Sequence, residues 1–311
     1  MTRRIAELGL RVLAASSCLL LAFPPTVVSA SETSQTAQPR GAELHVLHAR
    51  GSTMIRVAAS DFWMGSTSAD ILDAAALCAR EPLPTYCDPQ VFADEQERHR
   101  VHLSAFLLDR REVSVAEYAS CVRVGRCEPV PLSAGSRFTR PDYPATFVTW
   151  YDASAYCAFR GARLPSEAEF ERAARGVTGR RFPWGDDPSM HRANHGRLGI
   201  DVTDADDGYA ELAPVGSFPA GRTPEGFLDL AGNAAEWMLD RYAAEYPAVA
   251  VSDPRGPDTS QARDERVYRG GSYRDALAWL RGAAREPMPP AERRPWLGFR
   301  CARSEAPTAM P

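Results

Sequence analysis

The sequence has no second long apolar run after Leu13–Phe23, no C-x-x-C pair, no internal repeat and no excess of basic over acidic residues. Each shortage excludes something. Leu13–Phe23 is itself too short to cross a bilayer comfortably, and nothing after it approaches a membrane span. With a net charge of −4 and dispersed basic residues, no patch is offered to nucleic acid or an anionic membrane. Without C-x-x-C pairs, the cysteines do not read as a zinc site. The acid-rich stretch Asp201–Tyr209 lacks EF-hand spacing and so reads first as a solvated loop.

What is present begins with an export signal. Arg3, Arg4 and Arg11 form a positive n-region, Leu13–Phe23 the apolar core, and Val28-Ser29-Ala30 a cleavage site of small residues. Cys18 follows Ala15-Ser16-Ser17 and opens a lipoprotein alternative. Against that, Leu19–Leu21 continue the apolar run where a lipidated chain should turn polar. The expectation is a signal peptide over 1–30 and an exported protein, periplasmic or extracellular, free of the membrane after cleavage. Residues 31–49 read as a flexible polar linker, 50–303 as one domain and 304–311 as a disordered tail. A 44% hydrophobic content supplies a sizeable core for that domain.

Removal of Cys18 with the leader leaves Cys78, Cys87, Cys121, Cys127, Cys157 and Cys301, an even set in an exported chain. Several full pairings are open. Short loops make Cys78 with Cys87 and Cys121 with Cys127 the economical ones. Cys157 and Cys301 then remain for each other.

Frequent prolines and glycines limit the chain to short elements and long loops. Three helices are legible. Ser114 and Glu117 form a capping box ahead of Tyr118 and Cys121, and Ser166 and Glu169 form another ahead of a helix ending at Gly176. Asp152 is the expected cap of a helix that carries Cys157 and ends at Gly161. Arg100–Leu108 and Thr146–Trp150 read as strands. The mixture predicts an irregular, loop-rich α+β domain, not a sandwich or a doubly wound sheet.

Seven stretches, in order, resemble the formylglycine-generating enzyme family, also called the sulfatase-modifying factor family. They are FWMGS (Phe62–Ser66), Asp94–Tyr118, Pro144–Gly176, FPWGDD (Phe182–Asp187), Ala213–Trp237, RVYRGGS (Arg266–Ser272) and LGFRCAR (Leu297–Arg303). The resemblance covers roughly residues 50 to 303. It implies a single α+β domain distantly similar to C-type lectins, and a Cys157–Cys301 bridge. It also implies two calcium sites. One would use Asp229 and Glu236 side chains with the carbonyls of Gly232 and Ala234. The other would use Asn194 and Asp207 side chains with the carbonyls of His195 and Tyr209. Calcium takes such mixtures of carboxylate and carbonyl oxygens from loops.

The oxidising members of that family bind copper and attack substrate with two cysteines. The matching positions here are Asp275 and Leu280, which cannot supply the soft thiolates that Cu(I) prefers. A Trp common in the family is Ala235 here. Copper is therefore not expected as a cofactor, and no catalytic residue is assigned; Ser272 reads as a turn residue. The iron-dependent sulfoxide synthases of the same family carry a His-rich partner domain that this stretch lacks. His191 and His195 read as loop residues, and His99 and His102 as opposite faces of a strand. His45 and His48 fall near the linker. The functional expectation is a non-oxidase binding or accessory module, stabilised by calcium and disulfides, whose groove takes an exported protein, a peptide or a glycan. Two alternatives stand beside it. One is an oxidase forming formylglycine from sulfatase cysteines; the other is a different enzyme in the same groove, using Asp275, Arg274 or Arg281.

Overall fold

The computed structural model describes residues 53–82, 87–131, 135–197, 204–257 and 264–305. The expected leader with Cys18, the linker with His45 and His48, and positions 306–311 lie outside the described residues. Strand β1 (Met54–Val57) is followed by β2 (Ser60–Met64), which buries Phe62 and Met64 and leaves Asp61 and Trp63 outside. Helix α1 (Ser68–Cys78) was not among the three helices legible beforehand. Its signal is a capping box in which Thr67 and Asp70 bond each other's backbone N–H. The expected strand Arg100–Leu108 is divided into β3 (His99–Leu103) and β4 (Phe106–Asp109), because the chain leaves one sheet at Ser104 and enters another. His99 is buried and His102 exposed, on opposite faces as expected.

Helix α2 (Val115–Arg123) opens at the Ser114–Glu117 box. Helix α3 (Trp150–Phe159) corrects the sequence reading. Its cap is Thr149, whose hydroxyl accepts from the Asp152 N–H while the Asp152 carboxylate accepts from the Thr149 N–H. An Asp serves a capping box at the third helical position as well as at the cap itself, so the helix starts earlier than expected. Thr146–Trp150 is consequently loop and first turn, not a strand. Helix α4 (Glu167–Arg175) starts at Ser166 and ends at Gly176 as expected, but all nine of its residues are buried.

The remaining strands are β5 (Ala235–Arg241), β6 (Val251–Ser252), β7 (Arg266–Arg269), β8 (Arg285–Met288), β9 (Leu297–Gly298) and β10 (Ala302–Ser304). They form three small sheets with orders β1-β4-β10, β2-β3-β6 and β8-β7-β5-β9. Strand β4 holds the first and last strands of the domain on its two sides, both antiparallel. The last strand reaches Ser304, and Glu305 pairs with Arg56, so ordered packing runs past residue 303.

Two apolar clusters hold these layers. One gathers Tyr118, Tyr156, Trp237 and Phe299 around Cys157 and Cys301. The other packs α4, through Ala168, Phe170, Ala173 and Ala174, on β1 to β4. All three expected disulfides form: Cys78–Cys87, Cys121–Cys127 and Cys157–Cys301. Among the described residues no helix is long and apolar enough to cross a membrane.

Candidate functional site

The turn from Phe227 to Ala234 organises the centre of the domain. Asp229 and Asn233 sit at positive φ (53° and 62°), and Gly232 at 80°. A Cβ on Gly232 would lie 2.1 Å from the Asn194 carbonyl oxygen, so this crossing requires glycine. Asn233, which sequence reasoning did not single out, joins the two expected calcium sets. Its Oδ1 accepts from Asn194 Nδ2 and from the Ala213 N–H, and its Nδ2 donates to Glu112 Oε2.

Glu112 was also missed. It accepts from the Ala234 N–H and is repelled by the neighbouring charge of Asp229. Glu112, Asp229 and Glu236 are all buried, and Arg300 is the cation among them. Arg300 binds both oxygens of Glu236, at 2.6 and 2.7 Å, and donates to the carbonyls of Leu228 and Asp229. Burial raises all three acids above the ordinary carboxylate range, and mutual repulsion adds to this for Glu112. Three buried acids against one guanidinium suit a divalent cation, although Glu236 would have to share its oxygens with Arg300.

The second set is tied together through Asp207. Asp207 accepts from the His195 N–H and the Tyr209 N–H, and burial raises its carboxyl. Asn194 Nδ2 faces two carbonyl-type oxygens, Glu211 O and Asn233 Oδ1, which fixes the amide orientation. Its Oδ1 is then left buried with no hydrogen-bond partner, an orphan that a bound cation would satisfy. The His195 ring lies between the carbonyls of Met190 and Gly196. His191 sits in the short 3-10 turn Met190–Arg192, away from any helix face that would pair it with His195. Among the described residues no three His, Cys, Asp or Glu side chains converge as a metal cluster, so either set depends on carbonyls and amide oxygen.

In the closing block the two positions that stand where the family has cysteines are held in different ways. Leu280 is 0% exposed and packs with Leu77, Phe182, Ala193, Ala231 and Leu277. Asp275 is half-buried, and its Oδ2 accepts from the Ser272 N–H and hydroxyl, closing the turn. Burial raises its carboxyl. The cavity beside it, lined also by Gly271, Trp279 and Glu286, measures only about 10 Å³, no more than one water. Burial pushes Glu286 up to about 7. Arg281 is buried and bidentate to Glu95 at 2.6 and 2.9 Å, so its donors are committed. Arg274 is exposed, 5.9 Å above the Trp296 ring.

Known proteins share this architecture. The family model described as sulfatase-modifying factor enzyme 1-like domain matches residues 44–305. The formylglycine-generating enzyme of Thermomonospora curvata is 33% identical over 274 residues, covering 69% of this chain and 88% of that protein. The inactive C-alpha-formylglycine-generating enzyme 2 of Bos taurus is 36% identical over 182 residues, covering 56% of this chain and 54% of that one. The chain spans about half the length of the bovine relatives it matches. The solved structure of PvdO from Pseudomonas aeruginosa superposes with a TM-score of 0.64 at 25% identity, covering 82% of this chain and 95% of that one. Matched over most of its length in sequence and in fold, the chain belongs to the sulfatase-modifying factor enzyme 1-like domain family.

Proposed function

We propose that this protein is an exported, non-oxidase member of its family, a binding or accessory module for an exported protein, a peptide or a glycan. The observation that carries the reading is Leu280, fully buried in an apolar cluster where the oxidases have a cysteine. The six cysteines after Cys18 are all in disulfides, so no thiolate remains to bind Cu(I) or attack a substrate thiol. Asp275 is hard and hydrogen-bonded to its own turn. A relative named as an inactive enzyme has comparable identity to this chain. The direct test incubates the protein with copper, oxygen and a peptide carrying Cys-x-Pro-x-Arg. Mass spectrometry should find the thiol intact; conversion to aldehyde at an enzyme-like rate overturns the reading in favour of the oxidase.

Calcium is the proposed cofactor, and its role is structural. Asn194, Asp207, His195 and Tyr209 would hold one ion, and Asp229, Glu236, Gly232 and Ala234 the other, with Glu112 beside it. The orphaned Asn194 Oδ1 and the excess of buried negative charge support this. Chelation, with metal removal verified, should lower Tm by about 5–10 °C. An unchanged Tm removes calcium from the account and leaves the non-oxidase reading intact.

A further inference from the structure

We propose that a separate cavity takes an organic cation, a guanidinium or primary ammonium group, with Asp240 as its carboxylate partner. The cavity measures about 1030 Å³ and is lined by Met64, His99, Asp240, Tyr242, Tyr246 and Arg285, among others; neither Asp275 nor Leu280 lines it. That volume holds a small molecule or a peptide side chain with its neighbours.

Its floor is an ion network whose members satisfy one another. Arg285 binds Glu167 through Nε and Nη2 and donates to the carbonyls of Asp94 and Ala243. Arg269 binds Glu167, Glu171 and the Tyr246 hydroxyl. Arg175 binds Glu171. Three acids, Asp94, Glu167 and Glu171, thus face three guanidiniums, Arg175, Arg269 and Arg285, and among the described residues Asp240 is a fourth acid without a salt-bridge partner of its own. Glu167 and Glu169 repel it, while Arg269 attracts it. Arg163 and Arg266 also sense its charge, but Arg163 is bidentate to Glu169, and Arg266 donates to the Leu239 carbonyl and lies over Trp150.

Asp240 is 2% exposed. Its Oδ2 accepts from the Glu167 N–H, and among the described residues Oδ1 has no partner. Burial, with the Glu167 charge behind it, pushes the carboxyl up to about 8. The group is therefore mostly neutral at pH 7, and a cation arriving at Oδ1 would take the place of its proton. The walls suit such a cation, since Arg285 already lies 4.7 and 4.3 Å from the Tyr242 and Tyr246 ring centres. An anion would meet Asp240 and Glu245, and among the described residues the lining guanidiniums of Arg241 and Arg285 are already paired with Asp264 and Glu167.

The test titrates the full chain calorimetrically with n-butylguanidinium, n-butylammonium and butyramide. At least one cation should bind and butyramide should not. Affinity should rise about tenfold from pH 6 to pH 7 and level above about 8, with about one proton released per cation at pH 7. Asp240→Asn should weaken binding at least about tenfold and abolish the pH dependence. Its Tm should hold at neutral pH, because the amide oxygen still accepts from the Glu167 N–H. Should that variant fail to fold, proton release by the wild type decides. A short arginine peptide binding more tightly than butylguanidinium assigns a protein source, and equal affinity a small metabolite. Silence from both cations at about 10 mM, equal binding of butyramide, absence of proton release or undiminished binding by Asp240→Asn overturns the proposal.

Discussion

Arg269→Met should cost about 5 kcal/mol of unfolding free energy, the largest loss expected of any single substitution in this chain. The sequence contains no lysine, so all 36 basic residues are arginine, and the buried ones use the planar fork of donors that lysine lacks. Arg269, 1% exposed, donates to Glu167, Glu171, the Tyr246 hydroxyl and the carbonyls of Gly282, Ala283 and Ala284. Methionine fills the volume but leaves Glu171 Oε2 and three carbonyls without this donor, and the buried Glu167 and Glu171 with one guanidinium fewer between them. A loss of this size consumes much of a typical domain's total stability of about 5–15 kcal/mol, so the variant should be recovered largely unfolded. Chemical denaturation checks it; a loss below about 1 kcal/mol would show that the network is not held as described.

The same network sets an acid limit. Burial alone would raise Glu167, but Arg285 and Arg269 outweigh burial and bring it down to about 2. An acid lowered on folding adds stability that is complete above its unfolded value and is lost as pH falls through the folded one. The Glu167 contribution should therefore disappear between about pH 4.5 and 2, and Glu167→Gln should flatten that limb of the stability curve.

Local signals in the sequence were reliable where the chemistry is local. Ser114 with Glu117 and Ser166 with Glu169 each act within one turn, and both open helices as read. Asp152 misled by three residues because capping-box acids and cap acids look alike. Helix α4 was found, but not its burial. EAEFERAAR carries charges all round; Arg163 and Arg175 pair locally with Glu169 and Glu171, but Glu167 and the second oxygen of Glu171 depend on Arg269, about a hundred residues away. Glu112 and Asn233 were illegible for the same reason. Their contact spans 121 residues, and neither type at its position carries a spacing signal. Leu280 was legible as a missing cysteine, but its place in an apolar cluster depends on Leu77 and Phe182 arriving from elsewhere.

The three disulfides should differ in what they contribute. Cys157 and Cys301 are 144 residues apart and fully buried between α3 and the approach to β10. In the chain-entropy model, closing a loop of that length restrains the unfolded chain by about 5 kcal/mol. The Cys121–Cys127 and Cys78–Cys87 loops have separations of only 6 and 9, for which the same model gives about 2–2.5 kcal/mol each. The long bridge also has a packing role that the short ones lack. Cys301 N–H donates to Asp109, the carboxylate that Arg160 binds through both Nη1 and Nη2. Moving Cys301 therefore disturbs a buried ion pair, and the double variant Cys157→Ala/Cys301→Ala should lose more than entropy alone. The expected order of unfolding midpoints is wild type, then either short-loop double alanine variant, then Cys157→Ala/Cys301→Ala well below both. Similar midpoints for all three variants would mean that the unfolded chain is already compact enough to keep residues 157 and 301 near each other. That outcome would move the stabilising role of the long bridge from the unfolded state to the folded core.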